Sequence, residues 1–487
     1  MHGPRSAPMH GPRSVETMGW LACSVFAALL ASLTDLVPHR VWGVSAATGY
    51  GAAALLSCRS KTPWNQRSSL VAAAGAVLVP LAMLVVSGAR QLEVHVVEQS
   101  GLLLLTSGSP YVSAPSELWE YNPYLPGMAL FGLPKAVLGG GILSDAGIWF
   151  GIVFLGSMFL AVRTAAKTTT RRNGPGEPRA TPCTPLLLLA AAPVVALPLA
   201  VGGVDLPVIG LMCLALALAG RGGSGVAVGL ALGAAAALKW TAWPLLPVGL
   251  VLLLGAAGRR SAARAALVAL AVCALALLPV VLANPSAFAE HVLLFPLGEG
   301  GTGSPATSPL PGHLLTTYVP GGFALALGAL VLAAAGVALS LVVRPPRSTA
   351  AASNRLALGL ALAMCLLPAT RFGYLAYPLV LVCWHRLTSA AGRPTGTGAV
   401  TTTGFTSSRP ASTSYASVPS VPPTVIRVGA VACSACSLVV MRPSTPVRPG
   451  PPGRPLRGYA RRWRRPPGRL RCTGCGGKRP VGFTRRR

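Results

Sequence analysis

Apolar stretches of about 20 residues recur along the chain from Gly19 to about Arg386, with short polar connections between them. A run such as LVAAAGAVLVPLAMLVVSG is apolar all round. It lacks the period-two alternation of a barrel strand and the polar stripe of a soluble amphipathic helix. Segments 19–37, 41–58, 69–88, 147–162, 184–202, 206–220, 223–238, 244–257, 265–283, 322–343, 356–370 and 374–388 read as spans. The pattern predicts an all-α fold, a polytopic transmembrane helical bundle of about 11–12 spans. Several spans are short, and the pair around Lys239 reads as a broken or re-entrant hairpin. The first span runs straight into the second with no A-x-A site, so it is expected to stay rather than to be cleaved as a signal.

Composition agrees. The 487 residues are 52% hydrophobic and 11% charged, where a soluble domain carries about 25% charged residues. Residues 1–18, which include the repeat MHGPRSAPMHGPRS, read as a disordered tail, and 19–388 as the transmembrane domain. Residues 389–487 read as a disordered, low-complexity basic tail: a translated tail or the product of a frameshift in a GC-rich gene. From Arg393 onward there is no Asp or Glu, so much of the net charge of +30 lies there. Basic loops of a membrane protein explain that charge better than nucleic-acid binding, and no nucleic-acid partner is expected. CSAC (433–436) and CTGC (472–475) resemble halves of a zinc site, but their separation exceeds the usual ribbon spacing, and no metal site is assigned. Cys23, Cys58, Cys183, Cys213, Cys273, Cys365 and Cys383 lie in or beside apolar segments as small hydrophobes, without a disulfide framework.

The basic loops set an orientation. Arg59, Lys61 and Arg67; Arg163, Lys167, Arg171, Arg172 and Arg179; Arg221; Arg259, Arg260 and Arg264; and Arg344, Arg347 and Arg355 all fall on one side if the N-terminus is cytoplasmic. Arg40 and Arg371 fall on the other. The expectation is a multi-pass plasma-membrane protein with both termini cytoplasmic and two long outer loops, 89–146 and 284–321. Glu93, Glu98, Asp145, Asp205, Lys239, Glu290, His291, His313 and Arg371 then gather at or near the outer face.

Acidic residues number 11 in the whole chain, and two sit in QLEVHVVEQSGLLLLTSGSPY (91–111). On a helix over 92–107, Glu93 and Glu98 point about 140° apart, so they are not a carboxylate dyad. Glu98 shares a face with His95 at i,i+3. Glu93 opens the helix, where its dipole favours a carboxylate. Both glutamates are either solvated or capping groups, or one is a general base at the membrane surface. ELWEYNPYLPGMALFGLP (117–134) is too polar to span and too apolar to float free. It reads as a re-entrant or surface-lying segment, an aromatic belt or a surface for a sugar face or lipid headgroup.

Here the residues resemble a known family. An acidic residue, Gly101 eight positions on, then G-x-P-Y ending at Tyr111 and an aromatic N-P-Y-x-P segment resemble the first outer loop of GT-C membrane glycosyltransferases. Glycosyltransferase family 87, which includes polyprenol-phosphate-mannose-dependent α-mannosyltransferase-like proteins of actinobacteria, is the nearest. GGVDLPVIGLMCLALALAGR (202–221), GLALGAAAALKWTAWPLLP (229–247), NPSAFAEHVLLFPLG (284–298), SPLPGHLL (308–315) and ATRFGYLAYPLVLVCW (369–384) resemble further segments in order. Where the family has Asp, this chain has Glu93.

The resemblance implies an inverting hexosyltransferase. It would move a sugar, mannose in the first instance, from a polyprenyl phosphate to an extracytoplasmic glycolipid or polysaccharide acceptor, with the bilayer as its third partner. One general base suffices. Glu93 is the first candidate, with Glu98 and Asp205 next. Arg371, Lys239 and His291 are the candidates for the donor phosphate, against anchoring, snorkelling and plain loop roles. Tyr111, Trp119, Tyr121, Asn122 and Tyr124 are the candidates for substrate contact. No cofactor is implied, and a divalent metal is left open. The alternatives are a transporter or flippase of lipid-linked sugars, for which no internal repeat is found, and a non-catalytic membrane protein.

Overall fold

The computed structural model describes residues 12–60, 65–173, 183–297, 301 and 306–391. Residues 1–11, most of the Gly-rich stretch 298–305 and the two C-x-x-C pairs lie outside them, whereas Pro12–Met18, expected to belong to a disordered tail, form the first turns of a helix that runs on into the first apolar stretch. Among the described residues every regular element is a helix, and the one β contact is an isolated parallel bridge between Thr307 and Thr370. The main helices are α1 (Pro12–Leu33), α2 (Val37–Arg59), α3 (Gln66–Ser87), α4 (Leu92–Ser107), α5 (Leu133–Leu138), α6 (Ala146–Asn173), α7 (Cys183–Ala191), α8 (Pro193–Val201), α9 (Asp205–Gly220) and α10 (Gly225–Leu238). Then follow α11 (Leu245–Ala283), α12 (Pro311–Tyr318), α13 (Gly322–Val343), α14 (Thr349–Leu366) and α15 (Ala376–Ala391). The all-α multi-pass bundle expected from the sequence is what is seen.

Among the described residues, seven helices are long and apolar enough to cross a membrane. The other expected spans are helical but differ in build. The segment 184–202 is split at Ala192 by Pro193, whose ring cannot continue the hydrogen-bond ladder. The break leaves the Ala191 carbonyl without its helical partner, and the buried Tyr50 hydroxyl donates to it at 2.6 Å. The two expected spans 244–257 and 265–283 appear as one element, α11, broken at Gly258, which adopts φ 80°. In α3 a π-turn over Ala74–Leu78 leaves carbonyls that Trp42 Nε1 and Ser45 Oγ take up, each at 2.8 Å.

Small residues set the packing, as in most membrane helix pairs. The backbones of Gly49 and Gly75 touch, which brings α2 and α3 together. The same device builds the site. Pro126–Gly132 is a short 3₁₀ helix wedged between α4 and α10. Its Gly132 meets the backbone of Gly101 on α4, and its Gly127 meets Ala237 on α10. The Leu125 N–H donates to the Leu238 carbonyl at 3.1 Å. The helix carrying Glu93 and the helix ending at Lys239 therefore flank one thin strip of chain.

A methyl group at Gly101 would land inside the Gly132 backbone. Gly101→Ala gains up to about 1 kcal/mol of helix propensity, but overpacking costs about 1–3 kcal/mol. The expected outcome is a lower melting temperature in detergent, whereas Gly156→Ala, with open space around its Cβ, holds or raises it.

Candidate active site

Four ionisable side chains from distant parts of the chain meet at one end of the bundle. Arg371 Nη1 donates to Glu93 Oε1 at 2.6 Å. Lys239 Nζ donates to Asp205 Oδ1 at 2.5 Å. The same Asp205 oxygen accepts from the Tyr377 hydroxyl at 2.7 Å, and Thr241 Oγ1 lies 3.1 Å from that hydroxyl. The Lys239 ammonium also sits 4.9 Å from the ring centre of Tyr374 and 5.4 Å from that of Tyr124, both within cation–π range.

Local structure places each group. Glu93 lies in the first turn of α4, and Asp205 opens α9 after the Gly202–Gly203 turn, so both carboxylates sit at helix N-termini that favour negative charge. Helix α10 stops at Leu238 because Lys239 is extended. Arg371 is extended too. Its neighbour Thr370 donates its N–H to Ala306 O at 2.8 Å and accepts from Ser308 N at 3.0 Å, so the 306–308 segment holds Arg371 in place. Ser308 Oγ then accepts from Phe372 N at 3.2 Å.

The two pairs differ in exposure. The Lys239 and Asp205 side chains are 7% and 20% exposed, those of Arg371 and Glu93 37% and 19%. Burial pushes the Lys239 ammonium down, but Asp205 and then the Tyr374 hydroxyl outweigh it and hold it above its ordinary value. Arg371 is likewise pushed down by burial and then held above its ordinary value, chiefly by Glu93. Both cations stay charged.

Most of the aromatic loop is a packed scaffold. Tyr111, Tyr121, Asn122 and Tyr124 are buried, while Trp119 is half exposed. The Tyr111 hydroxyl donates to Tyr124 O at 2.7 Å, and Asn122 accepts from Tyr124 N and donates to Pro110 O. Burial pushes the Tyr111 and Tyr124 hydroxyls well up. Tyr121 stacks on Phe295 with ring centres 4.4 Å apart and reaches Glu290 at 3.3 Å. Of the five aromatic-loop candidates, Tyr124 reaches the charged cluster, through its ring.

His291 stands apart from the phosphate candidates. It is fully buried, its Nδ1 accepts from Asn122 N at 2.9 Å, and its Nε2 lies 2.8 Å from Val112 O. That pattern fixes the Nε2–H tautomer and ties 284–297 to the aromatic loop. Glu98 is also separate. It accepts from Ala146 N at 3.2 Å, capping α6, with His95 3.9 Å away. Beside it Arg90 Nη2 donates to Asp145 Oδ1 at 3.0 Å, Nη1 donates to Ala200 O at 2.5 Å, and Nε lies 3.0 Å from Asp145 Oδ2 as a charge contact outside hydrogen-bond geometry. Asp145 Oδ1 accepts from Ile148 N as well, so it is a cap and an ion-pair partner at once. Among the described residues no group of three or more His, Cys, Asp or Glu side chains is placed to hold a metal ion.

The profile of glycosyltransferase family 87 matches residues 122–369, half of the 487-residue chain. The chain belongs to glycosyltransferase family 87. The matched region holds Asn122, Tyr124, Asp205, Lys239 and His291. Glu93 precedes it, and Arg371 lies just beyond it. No curated protein sequence matches the transferase. A crystal structure of ArnT from Cupriavidus metallidurans bound to undecaprenyl phosphate resembles it at 18% identity and a TM-score of 0.41. That likeness covers 66% of this chain and 59% of that one, and at this level nothing about the transferase rests on it.

Tyr374, Tyr377 and Thr241 join the site without having stood out in the sequence. Their signal was faint: two tyrosines three apart after Arg371, and a threonine two residues after Lys239.

Burial holds the His291 imidazole below its ordinary 6.5, with the Val112 contact and Glu290 opposing. The folded protein thus binds this proton less readily than the unfolded chain. Stability contributed by neutral His291 is complete above pH 6.5 and falls as pH drops below it. Melting curves between pH 7.5 and 5 should show this decline in wild type, and a shallower one in His291→Gln.

Proposed function

We propose that this family 87 transferase moves a hexose, mannose first among them, from a polyprenyl phosphate to a glycolipid or polysaccharide hydroxyl on the extracytoplasmic side, with inversion. The observation that carries this reading is the contrast between the two ion pairs. Asp205–Lys239 is sealed by two rings and a tyrosine hydroxyl, whereas Glu93–Arg371 is held by one hydrogen bond at a partly open edge. The open pair can exchange partners, and the sealed one stays in place.

Arg371 has the planar fork that suits a phosphate. On donor binding it turns from Glu93 to the phosphate. The freed Glu93 carboxylate takes the proton of the acceptor hydroxyl as its oxygen bonds to the anomeric carbon. The bond from that carbon to the phosphate oxygen breaks, and its electron pair leaves with the lipid phosphate. Lys239, fixed beside Asp205, adds positive field for the developing charge without needing to touch it. Trp119 and Tyr124 are the remaining candidates for sugar contact. His291 and Glu98 hold structure around the site. The gathering of the polar cluster at one end of the spans, opposite the basic loops, supports the outer-face assignment.

Membranes containing the protein, supplied with radiolabelled polyprenyl-phosphate-mannose, test the reading. Wild type should move label into glycolipid or polysaccharide, Glu93→Gln should lose about 10²–10⁴-fold in rate, and Arg371→Ala should raise the donor KM. Equal transfer by wild type and Glu93→Gln removes Glu93 from the role of base.

A further inference from the structure

Thr241, Tyr377, Asp205 and Lys239 form a hydrogen-bonded line drawn from three separate elements. Thr241 comes from the turn after α10, Tyr377 from the start of α15, and Asp205 from the start of α9. Tyr377 is fully buried. Its hydroxyl proton goes to Asp205, and it has room to accept from Thr241. Asp205 Oδ1 thus receives an O–H and an N–H together.

Without Tyr377, Asp205 would have one partner, and its carboxylate could rotate and take Lys239 with it. With Tyr377, one carboxylate oxygen is fixed from two directions. The ammonium is fixed in turn between that oxygen and the rings of Tyr374 and Tyr124. A hydrogen bond to an ionised group contributes more than a neutral one, and the buried Tyr377 hydroxyl proton would lose its carboxylate acceptor if Asp205 moved.

We infer that Tyr377, backed by the Thr241 hydroxyl, is the positioning residue that fixes the Lys239 charge at the reacting phosphate. This rests on the transfer reaction proposed above, and it assigns to Tyr377 no contact with substrate.

Two measurements test it, one independent of activity. In the transfer assay, Tyr377→Phe should lower kcat by about 10–100-fold, the scale of a catalytic group displaced by about 1 Å. It should leave the donor KM within about twofold. Thr241→Val should give a smaller loss and Thr241→Ser should restore it, while the double variant should lose no more than Tyr377→Phe alone. The second measurement is acylation of lysines in intact membranes, read by mass spectrometry, with exposed Lys135 as internal control. Lys239 should be protected in wild type and labelled in Tyr377→Phe at matched folding. Unchanged Lys239 protection in Tyr377→Phe overturns the inference whether or not transfer is detected. A rise in donor KM with kcat intact overturns it too, since that would place Tyr377 in donor binding. Absence of transfer by wild type counts against the proposed reaction and leaves the labelling result to decide the role of Tyr377.

Discussion

A charge at the end of a membrane span is tolerated when an opposite charge meets it, and this bundle is organised around that requirement. Glu93 and Asp205 each have a cation within 2.6 Å, and Arg90 and Asp145 form a third pair nearby. The partners come from distant points: Glu93 and Arg371 are 278 residues apart in sequence. Each such pair stitches two regions that helix propensity alone leaves unrelated. Burial then divides their work. Arg90–Asp145 is closed and multiply bonded, which suits structure. Glu93–Arg371 has one bond and an open edge, which suits exchange.

The scaffold around the charges is largely backbone. The Thr307–Thr370 bridge and the Leu125–Leu238 bond join connecting segments to helix ends, and the His291 contacts to Asn122 and Val112 join two connecting segments to each other. These bonds leave little slack in the loops that flank the cluster. Loop side chains that look like ligands in sequence are therefore mostly spent on one another.

Much of this was legible in the sequence, for physical reasons. Apolar runs of span length have few alternatives in a bilayer, so the helices could be placed. Helix α4 follows the reading 92–107, and the i,i+3 spacing brings His95 beside Glu98. Local geometry stops there. The spacing left Glu93 alone at the start of its helix, because Arg371 lies beyond the reach of any periodicity. His291 has the residue type of a phosphate ligand, but its role depends on two backbone groups that only the fold brings to it. The aromatic segment reads in sequence as re-entrant or surface-lying, and it is the inward alternative that the fold takes: Tyr121 and Tyr124 are buried, with Asn122 and His291 folding the loop on itself. Tyr377 resembles any interfacial tyrosine until Asp205 is seen beside it.

The wedge at Pro126–Gly132 has a further consequence. On either side of it, backbone meets backbone through glycine or alanine, with no layer of large side chains between. The separation between the Glu93 helix and the Lys239 turn is thus one polypeptide thick. A gap of that kind cannot be widened or narrowed by exchanging one apolar residue for another, as an ordinary core can. Relatives built on the same wedge would share a fixed distance across the centre. Variation in what they accept would have to arise at the rim, where Trp119 and the segment around Ser308 present replaceable side chains.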